Sequence, residues 1–221
     1  MKILFLLLSL TFYCFVCSAQ QRFSKQQQQT IEDFIKKASG IYNNKAQADT
    51  SRSPLLRLSE IRAFRIWTHK KNEYWISIGW YQPNVPDQPM GEKIFHIKSF
   101  EQDRFIVDCY SWKNPMDEEL LLQWRKKHPY KKQNKDDLVN DGCGNYLIKN
   151  SAGEYELKTV EGEICAFNNP MAPFDGLFFH FIFGEEGKKM DIYDINYKNG
   201  QVLFDYIRVP MKMRKLRKIT K

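Results

Sequence analysis

Near its start the chain carries one apolar stripe at helical spacing. The stripe comprises Ile31, Phe34, Ile35 and Ala38, at positions i, i+3, i+4 and i+7. A helix with this pattern has one apolar face, which needs a sheet to cover it. Thr30 is predicted to cap the helix and Gly40 to end it. The polar stretch 46–54, rich in small residues, predicts a loop.

From Ile61 onwards apolar and polar positions alternate, which is the period of half-buried strands. The first strand-like segments are 61–68, 73–81, 92–100, 104–112 and 154–159. A further segment, 177–183, is almost wholly apolar. The last two, 189–197 and 201–209, flank Lys198-Asn199-Gly200, whose Asn-Gly step is a strong hairpin signal.

Two stretches interrupt this alternation. Residues 82–91 contain three prolines, which cannot join a strand ladder easily, so a long loop is predicted there. Asn114 and Pro115 predict the start of a second helix, which would stop before Pro129. About eight to ten strands joined mostly as neighbours predict a mostly β fold, an antiparallel barrel with an N-terminal helix and one inserted helix. Closure of the sheet would remove its exposed edges.

The first 19 residues have the pattern of a secretory signal peptide: a lysine, an apolar run from Ile3 to Val16, and small residues at the cleavage site. An uncleaved membrane anchor is the alternative, although the run is short for a span. Cleavage would leave a chain from about Gln20. Residues 20–221 are then predicted to form one domain in a secreted or periplasmic protein.

Three cysteines would remain after cleavage: Cys109, Cys143 and Cys165. Cys143 and Cys165 lie 22 positions apart, and each is beside a glycine-bearing turn, the first at 141–145. This spacing suits a cross-strand disulfide, which would contribute roughly 3 kcal/mol. Two buried free thiols are the alternative. An oxidising compartment favours the disulfide and leaves Cys109 as the free thiol.

Much of the formal net charge of +8 lies in the last ten residues. The basic residues there are Lys212, Arg214, Lys215, Arg217, Lys218 and Lys221. This basic tail could contact an anionic surface such as lipid or lipopolysaccharide, or be only a solvated end. Elsewhere the sequence has no basic stripe with interleaved aromatics, so nucleic-acid binding is not expected.

The sequence has no P-loop, dinucleotide fingerprint, His-Glu-x-x-His or paired Cys-x-x-Cys. Its Cys14 and Cys17 lie in the predicted signal peptide and would be lost with it. No metal site, required cofactor or catalytic residue is therefore predicted. His96 and His180 could point into the barrel, either packed there or donating to a ligand. Asp191 and Asp194 share a strand, with Asp205 across the hairpin. These acids could do acid–base work if desolvated together, or simply be exposed.

Aromatic side chains crowd the middle strands, with arginines between them. A barrel of about eight strands has room for one small ligand lined by rings and a few polar groups. Arginine among aromatics suits an acidic, planar, apolar molecule. An ordinary aromatic core with external arginines is the alternative. The residues predicted to line the site are Arg65, Trp75, Tyr81, Gln82, His96 and Tyr110.

Several motifs occur in a fixed order: Gly40-Ile41-Tyr42-Asn43 with Gln47, Tyr74-Trp75 leading to Gln82, Gly142-Cys143, Gly162 to Cys165, and the hairpin from Asp191 to Met213. In this order, over about residues 31–215, the chain resembles the chromophore lyases of the CpcT/CpeT family. The resemblance implies a calycin- or lipocalin-like barrel. It also implies a bilin (linear tetrapyrrole) or similar apolar acid as ligand, and attachment of that bilin to a cysteine of a light-harvesting protein.

Three motifs depart from the family pattern. Its Glu-Gln reads Tyr81-Gln82, its Pro-Tyr-Arg reads 89–91 Pro-Met-Gly, and its Asp-Arg-Gly reads 194–196 Asp-Ile-Asn. An arginine that could pair with a bilin propionate is thus absent from the last motif. Two other hypotheses follow: a non-catalytic carrier of another apolar ligand, and an envelope protein that uses its basic tail.

Overall fold

The computed structural model describes residues 23–52, 56–83, 85–101, 104–115, 117, 120, 123–126, 129–167, 172–184, 186–205 and 210–218, with the backbone alone at 85–88 and 124. The predicted signal peptide 1–19, the predicted start near Gln20 and the last basic residue, Lys221, lie outside the described residues. Within the described ranges, no helix is long and apolar enough to cross a membrane.

Two α-helices and twelve strands are found in the described residues. The helices are α1 (Lys25–Ala38) and α2 (Lys45–Thr50). The strands are β1 (Gly40–Asn43), β2 (Glu60–Ile66), β3 (Tyr74–Gln82), β4 (Val85–Ser99), β5 (Arg104–Trp112), β6 (Leu138–Lys149), β7 (Tyr155–Thr159), β8 (Cys165–Ala166), β9 (Gly176–Phe183), β10 (Lys189–Lys198), β11 (Gln201–Asp205) and β12 (Met211–Arg217). Short 3-10 helices occur at Gln123–Arg125 and Lys135–Asp137.

Ten of these strands close into an antiparallel barrel, in the order β10-β12-β1-β2-β3-β4-β5-β6-β7-β9 and back to β10. The closing pair, β9 with β10, runs from Phe183 opposite Met190 to Gly176 opposite Tyr197. Strand β8 pairs with the first residues of β9, and β11 pairs with the last residues of β10. The prediction of a mostly β, calycin/lipocalin-like barrel with an N-terminal helix is confirmed. Closure leaves the ten wall strands without a free edge.

Helix α1 begins earlier than predicted. Ser24, not Thr30, is its N-cap, because the Ser24 hydroxyl accepts from the Gln27 N–H while the Gln27 side chain accepts from the Ser24 N–H. This reciprocal pair is a capping box. Thr30 lies inside the helix, where its carbonyl accepts from the Tyr155 hydroxyl. The predicted apolar stripe is buried as expected.

One end of the barrel is closed by α1. The Phe34 ring meets Phe183 edge-on at 5.3 Å, and the Tyr155 hydroxyl donates to Asp33 at 2.9 Å. Below the helix, Phe179 and Phe181 are fully buried among the inward side chains. Burying each such ring contributes about 1.5–3 kcal/mol. The half of the barrel next to α1 is therefore solidly packed.

Three local predictions were wrong. The proline-rich stretch 82–91 is not a loop, since β4 starts at Val85 and pairs with β3 through two register shifts, which accommodate residues without an N–H. The predicted loop 46–54 contains most of α2. In the described part of 115–129, the only regular helical turn is the 3-10 turn Gln123–Arg125, where a longer helix was expected.

The glycine-cysteine turn predicted at 141–145 is a bulge inside β6. Gly142 has a φ of 71°, a left-handed value that glycine adopts without a Cβ clash. Opposite it, the register between β5 and β6 shifts between Asp108 and Tyr110. The bulge bends the strand and directs Asp141 into the barrel, where its side chain is buried.

Most of the basic tail is a wall strand. Residues 211–217 form β12, which pairs with β10 on one side and β1 on the other. The Lys215 ammonium donates to the carbonyls of Lys37 and Ser39, and burial lowers the pKa of Lys215 to about 8. Contact between an anionic surface and this segment stays a prediction.

Candidate functional site

We call the end of the barrel opposite α1 the mouth. A cavity of about 430 Å³ lies there. This volume is in the range of small-molecule sites. Its apolar wall consists of Trp80, Pro89, Met90, Gly91, Phe167, Ala172, Pro173, Phe174, Leu177, Phe204 and Met211. Residues of β3, β4, β9, β11 and β12, together with Phe167 and residues 172–174, thus surround one apolar space.

Two buried polar side chains of β10 face this cavity. Asp194 and Asn196 are 5% and 4% exposed, and both line it. Because strand side chains alternate, they share the inward face with Ile192. Among the described residues, Asp194 Oδ1 and Asn196 Nδ2 have no hydrogen-bond partner. A buried acceptor and a buried donor without partners each cost free energy.

Burial raises the pKa of Asp194 to about 7. The charge of Asp205 raises this pKa further, whereas the nearby Asn196 amide and the Asp194 backbone N–H lower it in part. The Asp194 carboxyl is thus part protonated near neutral pH. It can offer a ligand either a carboxylate acceptor or an O–H donor.

Gln82 and Ser59 complete the polar part of the lining. Gln82 is the only one of the six predicted ligand-binding residues that lies among the described residues lining this cavity. No lysine or arginine occurs in that described lining. A ligand carboxylate would therefore find no cation among these side chains.

Three of the predicted residues meet on the outer face of the barrel instead. The His96 ring stacks on Trp75 with centroids 3.9 Å apart, and Tyr110 lies against Trp75 at 5.7 Å. The segment 129–138 covers this face, and the Tyr130 carbonyl accepts from the Trp67 indole. Burial lowers the pKa of His96 to about 4, so this ring is neutral at physiological pH.

The remaining two predicted residues lie apart from both groups. Tyr81 packs on the outer face under the Arg62 guanidinium, 3.9 Å from the ring centroid. Arg65 is on the inward face near the α1 end, 5.1 Å from the Tyr74 ring. The structure does not bring the six residues together in one pocket, and their ligand-binding role stays a prediction.

The expectation that His96 and His180 point into the barrel was wrong. His96 belongs to the outer stack, and His180 alternates with the inward residues Phe179 and Phe181. Its Nε2 lies 2.9 Å from a Glu156 carboxylate oxygen on the neighbouring strand β7. Both rings therefore lie on the outer face, His96 stacked on Trp75 and His180 hydrogen-bonded to Glu156.

Between the cavity and the packed core lies a buried ion pair that the sequence did not reveal. Lys93 is 0% exposed, and its ammonium lies 2.7 Å from Asp141 Oδ2. The same ammonium donates to Ser111 Oγ and to the Ala166 carbonyl. Asp141 also accepts from Ser111 Oγ and from the Cys109 thiol. Every polar atom of this pair thus has partners, as a buried ion pair requires.

A disulfide joins Cys143 to Cys165, as predicted, with Cα atoms 4.8 Å apart. It ties the bulge of β6 to β8, next to the cavity residue Phe167. Cys109 is a free, buried thiol, also as predicted.

The sequence indicated parts of this cavity without assigning them to a site. Asp194 was named as one of three acids, and Asp194 and Asn196 as parts of a motif that departs from the family pattern. Their spacing indicated the site, because Ile192, Asp194 and Asn196 occupy alternate positions and so share one face of the strand. Two polar residues on the face of a buried apolar residue point to a polar spot inside the barrel.

Comparisons with known proteins support the fold. No protein-family model matches this chain, and no curated protein matches it. Among solved structures, the chain is similar to the CRL protein of Arabidopsis, with a TM-score of 0.62. The match covers 85% of this chain and 97% of that one at 12% sequence identity. Such a low identity shows a shared barrel fold alone, and the resemblance to CpcT/CpeT lyases stays a prediction.

Proposed function

We propose that this protein binds a small, largely apolar molecule at the mouth of its barrel. The observation that carries the proposal is an apolar cavity of about 430 Å³ that contains two buried polar side chains, Asp194 and Asn196. Asp194 Oδ1 and Asn196 Nδ2 have no hydrogen-bond partner among the described residues. Binding sites commonly combine an apolar wall with a few polar groups that orient the ligand. A ligand would bury the wall and satisfy both side chains at once.

The polar pair selects a type of ligand group. The Asp194 carboxylate needs a donor, and the Asn196 amide offers an unpaired N–H to an acceptor. Lactams, amides and hydroxyl groups carry a donor and an acceptor side by side. We infer that the ligand presents such a group to β10, while its apolar part contacts Trp80 and Phe167.

A direct test uses the fluorescent probe N-phenyl-1-naphthylamine, an apolar molecule with one N–H. Its emission is expected to rise saturably as it enters the apolar cavity. Replacement of the lining residue Ala172 by tryptophan (A172W) fills the space and should weaken binding about tenfold or more, or about 1.4 kcal/mol. Fluorescence titration measures both affinities.

The matched control is Ile106→Trp, which adds similar bulk on the outward face of β5, where Ile106 is 41% exposed. This variant should bind the probe as wild type does. The N-methyl derivative of the probe lacks the donor and should bind about fivefold more weakly, the loss of one hydrogen bond. Equal affinity of A172W and wild type would place the probe outside the cavity and contradict the proposal.

A linear tetrapyrrole is a specific candidate ligand. Its terminal rings are lactams, whose N–H could donate to Asp194 and whose carbonyl could accept from the Asn196 amide, and its conjugated chain suits the aromatic wall. Against this candidate, the described lining has no cation for the propionates. We therefore propose tetrapyrrole binding as one form of the function, with lyase activity resting on the sequence resemblance alone.

Biliverdin tests this candidate. A bound bilin is expected to quench tryptophan fluorescence, because Trp80 lines the cavity, and to change its own visible absorbance. The variant Trp80→Phe should lose much of the quenching while it keeps the absorbance change. If biliverdin causes no spectral change while the naphthylamine probe binds, the carrier of another apolar ligand is favoured.

The disulfide supports a location for this function. Disulfides persist in oxidising compartments and are rare in the cytosol. We propose that the protein acts in a secreted or periplasmic setting, consistent with the Cys143–Cys165 bond.

A further inference from the structure

A free thiol lies beside the disulfide. The sulfur atoms of Cys109, Cys143 and Cys165 are all within 4.8 Å of one another. Cys109 is on β5 and Cys143 on the neighbouring strand β6, at the bulge where their register shifts. Thiol–disulfide exchange proceeds by attack of a thiolate on a disulfide sulfur, so the two reacting groups are already close.

Charged groups surround the Cys109 thiol. Its Sγ donates to Asp141 Oδ2 at 3.1 Å, so a carboxylate is in place to accept the thiol proton. The Lys93 ammonium, bound to the same carboxylate oxygen, provides a positive charge for a thiolate. Burial raises the pKa of Cys109 well above its ordinary value; Lys93 lowers this pKa and Asp141 raises it. The thiolate is therefore a minor form at neutral pH, which makes attack slow.

The surroundings of Cys165 suit a thiol better than a disulfide sulfur. Its Sγ lies 3.6 Å from Asn145 Oδ1 and 3.7 Å from Thr159 Oγ1. A disulfide sulfur has no proton to donate to the Asn145 oxygen, whereas a thiol has one. The Asn145 amide nitrogen, in turn, donates to Cys143 Sγ. Asn145 thus marks Cys143 as the sulfur that stays bonded and Cys165 as the one that can be released.

We propose that the three cysteines form an internal exchange site, in which Cys109 attacks Cys143 and releases Cys165. The Cys109 proton passes to Asp141, the Cys109–Cys143 bond forms, and the electron pair of the broken bond stays on Cys165. The Cys165 thiolate then takes up the proton. One thiol and one disulfide are present before and after, so the step needs no external oxidant or reductant.

The exchange would act on the mouth cavity. Cys165 is followed by Ala166, whose carbonyl accepts from Lys93, and by Phe167, which lines the cavity. In the exchanged form β8 loses its covalent tie to β6, and the Phe167 wall is held by non-covalent contacts. The sulfur pairing thereby sets how firmly one wall of the cavity is held.

Alkylation mapping of the wild-type protein tests the exchange. The protein is held near neutral pH or at about pH 9, where more thiolate forms. It is then acidified, alkylated with N-ethylmaleimide in denaturant and digested with pepsin. Among Cys109, Cys143 and Cys165 we expect one label per chain in both samples, on Cys109 at neutral pH and partly on Cys165 at the higher pH. A label confined to Cys109 in both samples, with circular dichroism unchanged, would overturn the proposal.

Single variants test which sulfur is attacked. Cys165→Ser leaves Cys109 and Cys143, and the folded variant should form a Cys109–Cys143 disulfide when incubated with oxidised glutathione. Cys143→Ser leaves Cys109 and Cys165 and should form its bond more slowly. Two persistent free thiols in folded C165S contradict the proposal. If either variant does not fold, the wild-type mapping alone decides.

Discussion

Replacing Lys93 with methionine is expected to destabilise the protein by about 3–5 kcal/mol, because removal of one partner leaves a buried charge without compensation. Lys93 and Asp141 have side chains that are 0% and 1% exposed, and their charged atoms are 2.7 Å apart. Methionine keeps the length and flexibility of the lysine stem, so the lost ammonium dominates the effect. Urea unfolding at neutral pH, with the disulfide intact, measures the loss.

The same strand provides a matched control. Lys98 also pairs with an aspartate, Asp108, but its side chain is 44% exposed. Lys98→Met should change stability by less than about 1 kcal/mol, because water screens an exposed pair. If both variants lost the same free energy of unfolding, burial of the Lys93 pair would not contribute to its effect on stability.

A double variant separates the charge effect from packing. In K93M/D141N both charges are gone, and the amide oxygen that replaces the carboxylate can still accept from Ser111. We expect this double variant to be more stable than K93M alone, because the uncompensated carboxylate has been removed. The single variant D141N completes the comparison. If the loss in K93M/D141N equals the sum of the losses in K93M and D141N, the two residues do not interact.

Two-residue alternation predicted most of the fold. It identified β2, β3, β5, β7 and β10 because each has an apolar inward face, whereas β9 was predicted from its almost wholly apolar run. It failed at 85–91, where prolines suggested a loop although β4 continues through bulges. Closure of the barrel followed from the number of strands, since an open sheet of that size would expose edges.

Which face of a strand points inward was harder to predict. On β3, Trp75 alternates with Ile76, and both are buried, one on the outer face and one inside. The outer face is apolar because the segment 129–138 covers it, and the local pattern of β3 does not contain that fact. Trp75, His96 and Tyr110, which were predicted to line a ligand site, are neighbours on the outer face of the barrel.

The alternation of positions along β4 indicates which face Lys93 occupies, whereas its residue type does not. Lys93 alternates with Phe95 and Ile97, which places a lysine on the inward face. A lysine in a strand usually indicates an exposed position, and its partner Asp141 is 48 residues away, on a bulge. The ion pair could be recognised only in the structure, where Lys93 of β4 and Asp141 of β6 both point into the barrel and meet.

Replacing Asp194 with asparagine is expected to stabilise the ligand-free protein at alkaline pH and to have little effect at acid pH. In the unfolded chain an aspartate releases its proton near pH 3.9, whereas burial raises the pKa of Asp194 in the folded protein to about 7. Between these values the folded state binds more protons than the unfolded state. Stability is therefore lost as the pH rises, and the loss is complete above about pH 7.

The size of this loss follows from the two pKa values. Three units of difference, at about 1.4 kcal/mol per unit, correspond to roughly 4 kcal/mol. D194N does not titrate, so it should be more stable than wild type by up to about 4 kcal/mol at pH 8 and nearly equal to it at about pH 4. Urea unfolding at a series of pH values gives both profiles.

Asp191→Asn provides the control, since Asp191 alternates with the buried Met190 and Ile192 and faces outward on the same strand. Its stability profile should run parallel to that of wild type. A D194N profile that also runs parallel would mean that water reaches the Asp194 carboxyl. The buried Asp194 carboxylate lowers the stability of the ligand-free protein above pH 7. A bound hydrogen-bond donor would recover part of that loss, which supports assigning Asp194 to a ligand. In D194N there is no such loss for a ligand to recover.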